Sequence, residues 1–199
     1  MQLQEYFDQL APTWDEQLTQ ERRECLSSIV KELDIEPGYC VLDIGSGTGI
    51  LFPFLITALD DQGRIVALDL SAEMLGQAKG KTFQSIVDFI QADAMAIPLA
   101  DHSVDLAICN SVFPHFNDKV KALKEMARVL NNGGRLVICH TMSRAMINQL
   151  HQSIGGIVAN DYLPAEYQLR EQAEQAGLKI THFEDSTERY LVIAQKSPQ

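Results

Sequence analysis

The chain has 199 residues, about 1.3 times a typical 150-residue domain, so one domain with a self-sufficient core is expected and two full catalytic domains do not fit. Its 27 acidic against 16 basic residues leave a net charge of −11, which repels polyanions and offers no general attraction to anionic membranes; nucleic acid and membrane are disfavoured as partners. Hydrophobic residues at 46% and charged residues at 22% are ordinary for a folded soluble protein, which excludes dominant disorder.

The elements alternate along the chain. From Thr19 onward Leu26, Ile29, Val30 and Leu33 recur at i, i+3, i+4 and i+7, which predicts an amphipathic leader helix stopped by Pro37-Gly38. β-Branched runs then predict strands at Tyr39 to Ile44, Arg64 to Asp69, Ile86 to Gln91, Val104 to Cys109 and Arg135 to His140, with helices near 48–60, 71–81 and 117–130 between them. Strand, helix, strand in repetition means a parallel sheet covered by helices on both faces. Near the end of the chain, Lys179 to Glu184 and Arg189 to Gln195 are strand-like runs separated only by Asp185 to Glu188, so they must pair antiparallel. The expected fold is α/β and Rossmann-like, a seven-stranded, mostly parallel sheet ending in a C-terminal antiparallel hairpin strand. Without repeats or linkers, residues 1–199 are read as a single domain: a helical leader over 1–36, a core over 37–140, a helical insertion over 141–177 and the hairpin over 178–199.

The longest nearly apolar stretch, Gly49 to Leu59, is far shorter than the ~20 residues of a spanning helix and contains Pro53. The start, MQLQEYFDQL, lacks the basic and apolar regions of a secretion signal, so a cytoplasmic location is expected. Cys25, Cys40, Cys109 and Cys139 form no C-x-x-C pair and read as free thiols, neither a disulfide framework nor a zinc site.

The strongest local signal is Val41-Leu42-Asp43-Ile44-Gly45-Ser46-Gly47-Thr48-Gly49, a buried strand running into a glycine turn and a helix. Glycines let a backbone approach a ligand closely, and a helix N-terminus supplies free N–H donors. A dinucleotide fingerprint needs glycine at position 50, where Ile50 stands, and a phosphate-loop G-K-[ST] ending is also missing. Asp69 ends the second strand, placed to accept hydrogen bonds from ribose hydroxyls; the plainer alternative, a helix cap, is already served by Ser71. Asp93, in Gln91-Ala92-Asp93-Ala94, ends the third, so three strand ends converge on one nucleoside-sized cleft.

Four pieces in order, VLDIGSGTG, ALDLSAEML, QADAMAIPLADHSVDLAICNSVFPHF and LKEMARVLNNGGRLVI, resemble the class I S-adenosylmethionine-dependent methyltransferases that act on small molecules. The resemblance implies methylation by this donor, with S-adenosylhomocysteine as product. It implies that Gly45, Ser46, Gly47, Thr48 and Gly49 pack against the cofactor, Asp43 orients its ammonium group, and Asp69 holds the ribose. Leu70 and Met74 would flank the adenine, Asp93 and Ala94 would meet its edge, and Asn110 and Ser111 would line the methionine end. The leader carries Tyr6-Phe7-Asp8 through Ala11 to Trp14-Asp15, similar to a lid that begins many of these enzymes. An aromatic face such as that of Trp14 suits a sulfonium cation. Phe7, Leu10 and Trp14 also have the helical spacing of residues that simply dock a leader.

Methyl transfer is an in-line displacement for which a protein chiefly aligns the acceptor, excludes water and, for acidic acceptors, removes a proton. His115 and His140, after the fourth and fifth strands, are the candidate general bases. The insertion, rich in polar groups from Thr141 to Asp161, is expected to shape the acceptor pocket. His140, His151 and Asp161 have no compact metal-ligand spacing, so no metal is expected. The turn Asn110-Ser111-Val112-Phe113 differs from the N-P-P-Y type used on nucleic-acid and amide nitrogens, which favours a small or medium-sized organic acceptor. Two alternatives stand beside the enzyme: a non-catalytic cofactor-binding regulator of the same fold, and an aminopropyl transferase, for which residues 110–116 lack the acidic pair.

Overall fold

The computed structural model describes residues 2–60, 62–81 and 86–197; Met1, Asp61, residues 82–85 and residues 198–199, which fall within the expected leader, core and hairpin, lie outside the described residues. Five strands run parallel: β1 (Cys40–Ile44), β2 (Arg64–Asp69), β3 (Val87–Gln91), β4 (Val104–Asn110) and β5 (Leu130–His140). β6 (Leu178–Asp185) and β7 (Tyr190–Lys196) are antiparallel to each other, and β7 is antiparallel to β5, giving one sheet in the order β3-β2-β1-β4-β5-β7-β6. The architecture is the Rossmann-like one expected. β5 begins five residues before its predicted start because Asn131-Asn132-Gly133-Gly134, which reads as a turn, is absorbed into the strand next to an irregularity between Val104 and Leu106.

The helices are α1 (Leu3–Leu10), α2 (Gln20–Glu32), α3 (Phe52–Leu59), α4 (Ala72–Gly80), α5 (Lys119–Val129), α6 (Arg144–Ile154) and α7 (Glu166–Gln175). Their starts follow local chemistry. Thr19, Ser71, Asp118 and Ser143 each accept a hydrogen bond from a first-turn N–H, worth about 1 kcal/mol apiece. α3 starts four residues later than predicted, with Pro53 in its first turn where a missing N–H costs nothing, and the residues before it remain loop.

Strand residues alternate between two buried layers. Leu42, Ile44, Leu68, Ala107 and Ile138 face Leu123 and Met126 of α5 and Leu169 of α7, whereas Val41, Ile65, Leu106, Ile108 and Val137 face Ile29 of α2 and Leu55 of α3. Both faces are therefore covered, which is why the strands read as near-continuous apolar runs. Between β1 and β4 the order of successive strands reverses, and a crevice opens there at the carboxyl ends of the strands.

Candidate active site

The crevice is a cleft of about 560 Å³, within the size range of small-molecule sites, lined by the leader, the glycine turn, the ends of β2 and β3, the turn after β4 and the segment after β5. β1 runs into a turn in which Gly45 and Gly47 have φ of +65° and +54°, a region that costs other residues about 1–2 kcal/mol. The turn is tied to β2, since the Gly45 and Ser46 N–H groups both donate to the Leu68 carbonyl at 2.7 and 3.0 Å. A Cβ at Gly45 would lie 2.4 Å from Val112 Cγ2, so glycine also allows the β4 loop to close against this turn. At Gly47 nothing lies nearer than 3.8 Å, and the backbone stays open to the cleft.

Asp43, Gly45, Ser46 and Gly47 line the cleft; Thr48 and Gly49 do not, which corrects the expectation that the whole loop contacts a cofactor. The chain curls away after Gly47. The Thr48 hydroxyl turns to Asp15, and Gly49 makes room for the Phe52 ring, 2.6 Å from where a Cβ would stand.

Asp69 accepts from the Gly47 and Ser71 N–H groups, both at 2.8 Å, so it already bridges the glycine turn to the start of α4. Burial pushes its carboxyl upward and these N–H groups act in the opposite direction. Asp43 is 1% exposed, and burial, followed by the charge of Asp69, pushes it up to about 8. Its Oδ2, like the Ser46 hydroxyl, is buried without a hydrogen-bond partner among the described residues. Asp93 sits at the end of β3 with Oδ1 accepting from the Met95 N–H at 2.8 Å; it, Leu70, Met74 and Ala94 line the cleft.

The leader covers this crevice. Asp8 accepts from the Ser71 hydroxyl, and Asp15 accepts from the Thr48 hydroxyl and pairs with Lys81 at 2.6 Å. Phe7 packs edge-on against Trp14 and His115 at 5.9 and 5.1 Å, and both Phe7 and Trp14 line the cleft. The two readings of the leader thus meet, since the aromatic residues that dock it also form the cleft wall. Burial alone would raise the Asp15 carboxyl, but hydrogen bonds from Lys81 and Thr48 outweigh it and hold it below its usual range; the latch persists above that range and is released as pH falls through it. Because the pair is half exposed, Asp15→Ala should cost only about 0–1 kcal/mol of global stability. It should nonetheless speed chymotryptic cleavage within the leader by ~3-fold or more, because a local opening needs less energy than global unfolding. Equal cleavage rates in the variant and the parent would show that Asp15 is no latch.

On the opposite wall stand Asn110, the last residue of β4, and Ser111, Val112 and His115, which follow it. Ser111 has φ of +58°, uncommon for a residue with a side chain, and its N–H donates to the Cys139 carbonyl at 2.9 Å. His115 reaches the cleft and is joined to Asp161. His140 does not line it: it is 1% exposed, both ring nitrogens are buried without a hydrogen-bond partner among the described residues, and burial pushes it down to about 3. That placement corrects the reading of His140 as a base; the ring of the last β5 residue lies edge-on to Tyr190 with centroids 6.1 Å apart, and Thr141 is the neighbour that lines the cleft. The sequence reading did not single out Arg22 of α2, the one Lys or Arg lining the cleft among the described residues, whose Nη2 lies 3.7 Å from Met142 Sδ. Its helical position on a polar face carried no signal.

The residues present fit a nucleoside sulfonium: two buried polar atoms without a hydrogen-bond partner among the described residues, a carboxylate at the end of β2 beside the glycine turn, and an aromatic wall. Known proteins bear this out at the level of family. A family model described as a methyltransferase domain matches residues 42–138. Over 176 residues the chain is 31% identical to the ubiquinone/menaquinone biosynthesis C-methyltransferase UbiE of Enterobacter sp. (strain 638), covering 75% of this chain and 70% of that protein. The chain belongs to the class I S-adenosylmethionine-dependent methyltransferases. Among other members, the demethylmenaquinone methyltransferase of Renibacterium salmoninarum is 38% identical over 138 residues, 66% of this chain and 55% of that one. This methyltransferase chain therefore spans between about half and about seven tenths of the length of these curated relatives. In fold it matches the magnesium protoporphyrin IX methyltransferase of Synechocystis PCC 6803, solved with bound SAH, at a TM-score of 0.74 and 20% identity over 98% of both chains.

Proposed function

We propose that the protein transfers a methyl group from S-adenosylmethionine to a small or medium-sized organic acceptor. The observation that carries this reading is a single cleft with two unlike walls: Gly45, Gly47, Asp69 and Asp93 on the cofactor side, Val112, His115 and Thr141 on the acceptor side. The relatives named for methylation in ubiquinone and menaquinone biosynthesis support an organic acceptor. The bound donor supplies an activated methyl on a sulfonium. In this reading Asp69 takes the ribose hydroxyls, Asp93 and Ala94 the adenine edge, Asp43 and Ser46 the ammonium, and Arg22 the carboxylate. Trp14 and Phe7 keep water from the cation, and His115 takes the acceptor's proton.

Trp14 is the chain's one tryptophan and lines the cleft, so its fluorescence reports occupancy directly. Titration with S-adenosylmethionine and S-adenosylhomocysteine should give saturable changes, and a methyl-labelled donor should pass label to an acceptor drawn from phenols, thiols and amines. A regulator of the same fold would bind without transfer, and an aminopropyl transferase would prefer the decarboxylated donor. No saturable change with either ligand would end the reading.

Asp43 gives a second check. Its carboxyl, raised to about 8, is protonated in the free protein at pH 7, and an ammonium beside it draws that value down. Binding of S-adenosylhomocysteine at pH 7 should release close to one proton, seen as a dependence of calorimetric heat on buffer ionisation enthalpy, and Asp43→Asn should release none. The same shift sets a sign for stability. The folded state holds a proton on Asp43 that the unfolded state loses from about pH 4 upward, so the contribution of this one group to the stability of the free protein falls as pH rises from about 4 to about 8, and Asp43→Asn removes that contribution.

A further inference from the structure

Two groups far apart in sequence meet on the acceptor wall. His115 stands in the turn after β4, and Asp161 lies in the stretch between α6 and α7; Nδ1 of the histidine is 2.7 Å from Oδ2 of the aspartate, with side chains 9% and 17% exposed. Both line the cleft. The imidazole is held between the Phe7 ring at 5.1 Å and the His151 ring at 4.9 Å. The loop is held too, since His151 Nδ1 is 2.6 Å from the Asp161 carbonyl and the Asp161 N–H donates to Val158 at 3.0 Å. A carboxylate at Nδ1 keeps the proton on that nitrogen and leaves the lone pair on Nε2. The other titratable groups around the pair are His151, His140 and Lys119. Burial disfavours the charged form of each, and the Lys119 ammonium is occupied by the Pro114 and Phe116 carbonyls at 3.0 Å.

We propose that Asp161 is a positioning residue that fixes His115 as a general base acting through Nε2, and that the acceptor is an uncharged, largely apolar molecule whose attacking atom carries a weakly acidic proton, as in a phenol. This deepens the methyl-transfer reading and rests on it. The acceptor class follows from the apolar side chains that line the same cleft as the pair, Leu3, Phe7, Val112, Phe116 and Ile157, with the Phe7 ring directly against His115, and from the carboxylates lining that cleft, which repel an anion. As the attacking oxygen forms its bond to the methyl carbon and the carbon–sulfur bond breaks, the O–H proton passes to Nε2. The electron pair of the broken bond stays on sulfur as a neutral thioether, and the positive charge ends on an imidazolium beside the Asp161 carboxylate.

The first test needs no cofactor. Long-range proton–nitrogen spectra of histidine-labelled protein at pH 8, with His115 assigned by its loss in His115→Gln, should show the Nδ1–H form in the parent and a shift towards Nε2–H in Asp161→Ala. Identical tautomers overturn the positioning role. The second test is methyl transfer to phenol and to 4-nitrophenol, which is already ionised at pH 8. Asp161→Ala should lose about 100-fold on phenol and less than about 5-fold on 4-nitrophenol, with S-adenosylhomocysteine affinity unchanged; Asp161→Asn gives the same comparison if the alanine variant does not fold. Equal losses on both probes overturn the base. A parent that binds the cofactor but methylates neither probe overturns the acceptor class, and a parent that binds no cofactor overturns the underlying reading instead.

Discussion

Asp69→Ala should weaken binding of both S-adenosylmethionine and S-adenosylhomocysteine by about 100-fold or more. Two hydrogen bonds from ribose hydroxyls to a carboxylate are worth about 1.5–3 kcal/mol each, and 100-fold corresponds to about 2.7 kcal/mol, so the loss is expected even if the two are not additive. The same substitution leaves the Gly47 and Ser71 N–H groups without their 2.8 Å acceptor, which disorders the glycine turn and adds to the loss. Asp69→Asn, able to accept but not charged, should fall between. Fluorescence of Trp14 and calorimetry measure the affinities, and urea melts of the free proteins separate a binding loss from a folding one. Parental affinity in a folded Asp69→Ala protein removes the ribose assignment.

Gly45→Ala should destabilise the fold by about 2–5 kcal/mol, the sum of about 1–2 for a side chain at φ +65° and about 1–3 for overpacking against Val112, whose Cβ and Cγ2 would lie 2.6 and 2.4 Å from the new methyl. The two terms separate experimentally. Gly45→Ala/Val112→Gly removes every overlapping atom, the Cβ included, and leaves the backbone cost, so the double variant should be more stable than the sum of the singles by about 1–3 kcal/mol. Strict additivity in urea melts would mean that the two loops do not touch. Gly47→Ala, where only the backbone term applies, should cost about 1–2 kcal/mol.

Much of this site was legible in the order of the residues because the rules involved are local. Alternating apolar runs and helix caps specify a parallel sheet, and in a parallel sheet the residues that end each strand share one edge. Gly45, Asp69, Asp93 and Asn110 therefore had to gather at one rim whatever the details of packing. Misreadings arose where direction mattered more than position. Thr48 and Gly49 belong to the glycine loop yet point away from the cleft, since the chain must turn into α3. His140 ends β5 as Asn110 ends β4, but its ring is buried edge-on to Tyr190.

The sequence alone determined the sheet, the glycine turn and the two carboxylates at its rim, all consequences of periodicity and backbone conformation within a few residues, and its motifs carried the resemblance to the family. Only the tertiary structure decided that Asp8 and Asp15 fasten the leader over the crevice, that Arg22 reaches into it, and that Asp161 meets His115 across 46 positions. Those contacts depend on how helices settle on the finished sheet, a global outcome of core packing that no short stretch of residues encodes.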